Sequence, residues 1–217
     1  MEDFYLIIIA FLLLILIFNY REIEWIKKLP NTNDKKYLYW SQIVILGGVL
    51  VRIVNLSVPY GLNVDESICG YDAWCLANYG VDQHLSSYPV YLRSWGSGQS
   101  ALYAYFCIPF VKTFGLSVSV FRMPMALVGG FTLLFFYYTL RKTQKNTFFV
   151  FIATLFLAVS PWHIMKCRFG MDCNLFPDIV LIGTCLFILG YYSSVLKPRL
   201  IYYTLAVVCI ALSAYSY

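Results

Sequence analysis

Residues 117–140 read SVSVFRMPMALVGGFTLLFFYYTL and are followed at once by Arg141, Lys142 and Lys145. Arg122 is the single charged residue in that stretch. A bilayer core about 30 Å thick needs about 20 mainly apolar residues per helix, and this run is long enough. It is continuously apolar rather than alternating, which suits a helix that satisfies its own backbone and not a barrel strand. Further apolar runs of about span length recur along the chain, separated by short polar stretches. Of 217 residues, 60% are hydrophobic, 19% aromatic and only 12% charged, against a charged share of about 25% in soluble domains. The expected fold class is therefore all-α, a polytopic transmembrane helical bundle.

The net charge of +5 falls between the apolar runs instead of on one basic face, so a positive-inside bias explains it and no nucleic-acid partner is expected. Seven cysteines show no CxxC and no Cys/His spacing of a zinc site. They read mainly as small apolar packing residues, although Cys167 and Cys173 lie close enough in sequence to make a disulfide conceivable.

The charge order threads the chain. The first run, Phe4 to Phe18, is preceded by Glu2 and Asp3 and followed by Arg21, Lys27, Lys28, Lys35 and Lys36, the reverse of a secretory signal. It reads as a retained helix over 4–20 with its N-terminus outside and the basic loop in the cytoplasm. The run Trp40 to Leu56 then leads outward, with Arg52 near its outer end. A large external loop over 57–116 is too polar for a simple span and dense in Tyr and Trp, as membrane interfaces are. Within it a helix is expected from Asn63 to Tyr79, stopped by Gly80, and a second interfacial helix from Gln99 to Val111, interrupted by Pro109. Further spans are expected over 117–140, 146–162, 175–193 and 200–217. Residues 1–217 thus form one membrane domain without internal repeat. Because the chain stops in an apolar helix, it is expected to be the N-terminal part of a longer protein of the cell membrane.

This threading collects Asp65, Glu66, Asp72, Asp82, Asp172 and Asp178 at the outer end, with Arg93, Arg122, Lys166 and Arg168. Asp65 and Glu66 open the expected helix, where carboxylates suit the dipole, and Asp65, Cys69, Asp72 and Leu76 share one face. Alone, an Asp-Glu pair reads as a helix cap. Here it stands in an ordered set: Arg52, then Gly61-Leu62-Asn63-Val64-Asp65-Glu66, Gly70-Tyr71-Asp72-Ala73, Trp95-Gly96-Ser97-Gly98-Gln99, Phe121-Arg122-Met123-Pro124, Ser160-Pro161-Trp162-His163 and Cys167-Arg168-Phe169-Gly170.

That set resembles the GT-C glycosyltransferases, in particular the protein O-mannosyltransferase and aminoarabinose-transferase branch (glycosyltransferase family 39-like), whose first large external loop begins with an Asp-Glu pair. The resemblance runs from about Arg52 to Asn174. It departs from the simplest family plan in its extra first helix and in lacking the C-terminal half. It implies an enzyme that transfers a sugar, with inversion, from a polyprenyl-phosphate donor to a hydroxyl of a protein, lipid-linked glycan or wall polymer, on the non-cytoplasmic face.

A lipid phosphate is already a good leaving group, so such a reaction needs a base for the acceptor hydroxyl and cations for the departing phosphate. Asp65 is the candidate base, and Glu66 orients it or pairs with an arginine. Arg52 and Arg122 match arginines that the family carries around this loop; they and Arg168 are candidates to bind the donor phosphate, or to hold the acidic pair in place. Asp72, Tyr71, Trp95 and Gln99 are the further substrate-binding candidates, although the aromatics read most simply as interface anchors. His163 reads as a satisfied interfacial histidine and His84 as a loop residue. No cofactor is expected; since some GT-C enzymes use a divalent metal, Asp65 and Asp172 leave that question open. The competing readings are a transporter or lipid flippase, which would favour repeated halves with broken helices at mid-bilayer, and a non-catalytic scaffold subunit.

Overall fold

The computed structural model describes residues 2–29, 34–94 and 96–216. The chain is mostly helical, 75% in nine helices among the described residues. In order these are α1 (Glu2–Lys27), α2 (Asp34–Ile53), α3 (Val64–Tyr79), α4 (Leu102–Phe114), α5 (Val118–Thr143), α6 (Thr147–Val159), α7 (Pro161–Lys166), α8 (Asp172–Tyr192) and α9 (Leu196–Ser213). A two-stranded antiparallel hairpin, β1 (Tyr91–Ser94) and β2 (Ser97–Ser100), stands between α3 and α4.

Among the described residues four helices are long and apolar enough to cross a membrane: α1 from Tyr5, α5, α8 and α9. Their burial differs in a way that orders the bundle. In its most apolar stretch α5 is 61% buried and α8 44%, whereas α1 is 17% and α9 11% buried. So α5 and α8 form the centre, and α1 and α9 turn rows such as Leu13, Leu14, Ile17, Val207 and Ile210 outward. Exposed apolar faces of that size suit hydrocarbon and not water.

Close approaches between helices depend on small residues, as they do where lipid removes the usual hydrophobic drive. A Cβ at Gly190 of α8 would meet the Tyr203 ring at 2.8 Å, and one at Gly183 would meet Cys209 Cβ at 3.1 Å. These two glycines, two turns apart, let α9 lie directly on α8. On α2, a Cβ at Gly48 would sit 2.7 Å from Leu133 of α5 and 3.1 Å from Ala158 of α6. The core between them is filled by Ile45, Val49, Met123, Ala126 and Leu133.

Several expectations are corrected. The first helix does not stop at residue 20 but runs on through Arg21 to Lys27, because the amphipathic stretch after Phe18 continues to pack through Glu22 and Ile26. Gln99 lies in β2, and the helix expected from there begins at Leu102 and passes through Pro109 to Phe114. The expected span over 146–162 is a helix of 13 residues that ends at Ser160, where Pro161 opens α7. At about 1.5 Å per residue α6 covers about 20 Å, less than a bilayer core. Cys167 and Cys173 are both free thiols.

Candidate functional site

The first turn of α3 is organised by Asn63. Its side-chain oxygen accepts from the Glu66 N–H at 2.7 Å, and the Asn63 N–H donates to Glu66 Oε2 at 3.3 Å, completing a capping box. Gly80, at φ 71° in the left-handed region, closes the other end. Glu66 then points inward, fully buried, and meets Arg122 of α5, which is also fully buried. Arg122 Nε donates to Glu66 Oε1 at 2.8 Å and Nη2 to Oε2 at 2.7 Å. The remaining guanidinium hydrogens go to the carbonyls of Leu56, Pro59 and Gly61, so all five donors are used. Glu66 Oε1 also accepts from the Gly170 N–H at 2.7 Å. One ion pair thereby ties α3, α5, the 56–61 loop and the turn before α8 together.

Asp65, the adjacent residue, faces the other way and is exposed. The one hydrogen bond to its side chain among the described residues is long: Gln99 Nε2 donates at 3.4 Å to Oδ1 and lies equally far from the Asp65 carbonyl. Gln99 belongs to β2, so the hairpin brings it to the start of α3. Strand alternation sorts the hairpin's faces. Leu92 and its partner Gln99 are buried, and Tyr91, Arg93, Gly98 and Ser100 take the opposite face. That second face borders a cavity of about 490 Å³ whose far side is Asp172, Ala214 and Tyr215. The Tyr91 ring crosses the strand where Gly98 has no side chain, since a Cβ there would lie 2.2 Å from it. Asp172 Oδ2 accepts from the Ser100 N–H at 2.8 Å. Asp65 and Asp172 are both within electrostatic reach of Cys173. Exposed Arg93 shares this face and has no acidic partner among the described residues.

Two other arginines are occupied internally. Arg52, fully buried, donates to the carbonyls of Gly48, Leu157 and Ala158 and, through Nε at 3.1 Å, to His163 Nδ1. Arg168 donates to the carbonyls of Val51, Val54, Asn55 and Val58, satisfying the groups that the end of α2 leaves open. The assignment of Arg52, Arg122 and Arg168 to a donor phosphate is thus not what the geometry gives. Each spends its guanidinium on the fold, and Arg122 holds Glu66, the alternative left open for it. Asp72 is likewise internal: buried, it accepts from the Gln83 N–H at 2.8 Å and Gln83 Nε2 at 3.2 Å. Burial raises its carboxyl above the usual range against those bonds. Tyr71 is half exposed and stacks on Trp74, ring centroids 6.0 Å apart. Trp95 lies outside the described residues.

Sequence reasoning missed a buried polar group behind the site. His163 Nε2 lies 3.1 Å from Asp178 Oδ1, and Lys166 Nζ is paired with Asp178 Oδ2. Because the Arg52 guanidinium can only donate, Nδ1 must accept and the imidazole carries its hydrogen on Nε2. Burial, with Lys166 and Arg52 nearby, holds this histidine below its ordinary pKa against the pull of Asp178. The ligand atoms of His163, Cys167 and Asp178 lie within 4.8 Å of one another. A metal there fits poorly, since both imidazole nitrogens and both Asp178 oxygens are engaged and two cations stand beside them. The visible signal was the spacing of His163, Lys166 and Cys167 at i, i+3 and i+4 on one short helix; their partner Asp178, on another helix, had no local signature.

No family model matches the chain, and no curated protein or solved structure matches it significantly.

Proposed function

We propose that the chain acts as a GT-C-type membrane glycosyltransferase that uses a polyprenyl-phosphate sugar, with Asp65 as the general base toward an acceptor hydroxyl. The observation that carries this reading is the division of labour in the Asp-Glu pair. Glu66 is buried and locked by Arg122, while Asp65 is exposed at a backbone position that this lock fixes. A capping role alone would need neither the buried arginine nor an outward carboxylate, because Asn63 and Glu66 already close the cap. General-base catalysis needs a carboxylate that is rigidly placed and open to its proton donor.

The cavity of about 490 Å³ beside the hairpin is of the size that takes a small ligand. Tyr91 and Tyr215 give it apolar walls suited to a sugar ring, and Asp172 and Ser100 give it polar contacts. With three arginines committed elsewhere, the cation for the departing phosphate is Arg93, on the same hairpin face. The excess of basic residues at the opposite end supports a non-cytoplasmic position for this one.

The test is release of polyprenyl phosphate by the full-length protein given a polyprenyl-phosphate sugar and a hydroxyl acceptor. Arg93→Gln should raise the KM for the donor about tenfold or more, the scale of one charged hydrogen bond, and leave the acceptor KM unchanged. Failure of the wild-type protein to turn over any such donor would overturn the reading.

A further inference from the structure

The opposite end of the bundle holds a second cavity that glycosyl transfer does not use. It measures about 290 Å³ and lies where α5 and α8 end and α9 begins. Seven of its eight lining residues carry polar side chains; Leu189 is the exception. Tyr138, Tyr192, Ser194 and Tyr202 line it together with Lys142, and their hydroxyls make no hydrogen bond among the described residues. Lys142 forms no salt bridge among the described residues; Glu22, which Arg141 holds, lies within its electrostatic reach, and the Tyr138 ring stands 5.7 Å from Nζ to centroid. Arg141 next to it is occupied, since it donates to Glu22 at 3.0 Å and lies 4.4 Å over the Trp25 ring. Arg199 is likewise spent on the Ser193 carbonyl.

One ammonium outside any salt bridge and four hydroxyls without a hydrogen-bond partner among the described residues, around one space, suit a ligand that is anionic and rich in acceptor oxygens, which is a phosphate ester. The position selects its source. Three of the helices apolar enough to cross a membrane meet here, at the end of the bundle that also carries Arg21, Lys27, Lys28 and Lys145, and clustered cations just beyond spanning helices attract anionic lipid headgroups. We propose that this cavity binds the phosphate headgroup of an anionic phospholipid of the leaflet at the basic end, with Lys142 on the phosphate and the tyrosine and serine hydroxyls on its oxygens. Gly190 is what lets the site form, because it allows Tyr202 and Tyr203 of α9 to close on α8, with Tyr202 Cβ 3.3 Å from where a side chain would begin. The proposal rests on the membrane reading and not on glycosyl transfer.

The experiment reconstitutes the full-length protein in nanodiscs with mixed phosphatidylglycerol and phosphatidylcholine and counts retained lipid by native mass spectrometry. One phosphatidylglycerol should be retained in preference to phosphatidylcholine. Lys142→Gln should weaken that retention about fivefold, the scale of one lysine at a charged membrane surface. Lys145→Gln, on the same face but outside the cavity, should leave it unchanged, and Tyr202→Phe should weaken it without removing charge. Equal retention of the two lipids, or equal losses in Lys142→Gln and Lys145→Gln, would overturn the proposal. Displacement of the lipid by inorganic phosphate at comparable concentration would overturn the lipid assignment and leave a soluble phosphate as the ligand.

Discussion

Removing the charge of Glu66 should be the most destabilising conservative change at the α3 end of the bundle. Glu66 and Arg122 are both fully buried and 2.7 Å apart, and the Glu66 carboxylate accepts four hydrogen bonds: two from Arg122 and one each from Gly170 and Asn63. In Glu66→Gln one oxygen becomes an NH₂ group that must face a donor, and the guanidinium loses its counter-charge in a place water cannot reach. Breaking a buried pair from one side costs about 3–5 kcal/mol. In a chain of this size each kcal/mol lowers Tm by about 2–4 °C, so a fall of about 6–20 °C is expected for the full-length protein in mild detergent. The double variant Glu66→Leu/Arg122→Met should recover part of that loss, since it leaves no unpaired charge, although three loop carbonyls then lose their donor. A fall of less than about 2 °C in Glu66→Gln would refute the idea that this pair holds α3 in place.

Two further outcomes can be checked independently. If the basic loops are cytoplasmic, a cysteine replacing exposed Tyr60 should react with an impermeant thiol reagent in intact cells and one replacing Lys35 should not; the reverse pattern would move the Asp65 face to the cytoplasm. Stability should also depend on His163: a base held neutral by burial binds a proton more readily in the unfolded chain, so Tm should fall as pH drops below about 6.5, the ordinary histidine value. His163→Gln should flatten that slope relative to the parent.

The helix over 64–79 was legible almost to the residue because its ends are set by local chemistry, Asn63 with Glu66 at one end and Gly80 at the other. The long apolar helices were legible for the same reason, since hydropathy is a property of the run itself. The hairpin was not: Tyr91–Ser94 and Ser97–Ser100 are four residues each, with Gly96 and Gly98 on either side of Ser97, so they resemble a loop until the backbone pairs. The arginines show a different limit. Their presence beside the acidic pair was evident, but what satisfies a guanidinium is decided by carbonyls distant in sequence, such as those of Leu157 and Ala158 for Arg52. Three residues that looked available to a phosphate are therefore spent on the fold. Asp65 differs from them in that the one hydrogen bond to its side chain among the described residues comes from Gln99.

The central claim is tested most directly by single-turnover transfer from a polyprenyl-phosphate sugar in full-length Asp65→Asn. The amide keeps the volume of the carboxylate but cannot accept the acceptor's proton. Because Asp65 is exposed and its side chain accepts one long hydrogen bond, 3.4 Å from Gln99, among the described residues, the variant should fold with an unchanged Tm and bind donor normally while transfer falls by about 10² to 10⁴. Near-normal transfer by this variant would contradict the account and return Asp65 to the surface of a capped helix.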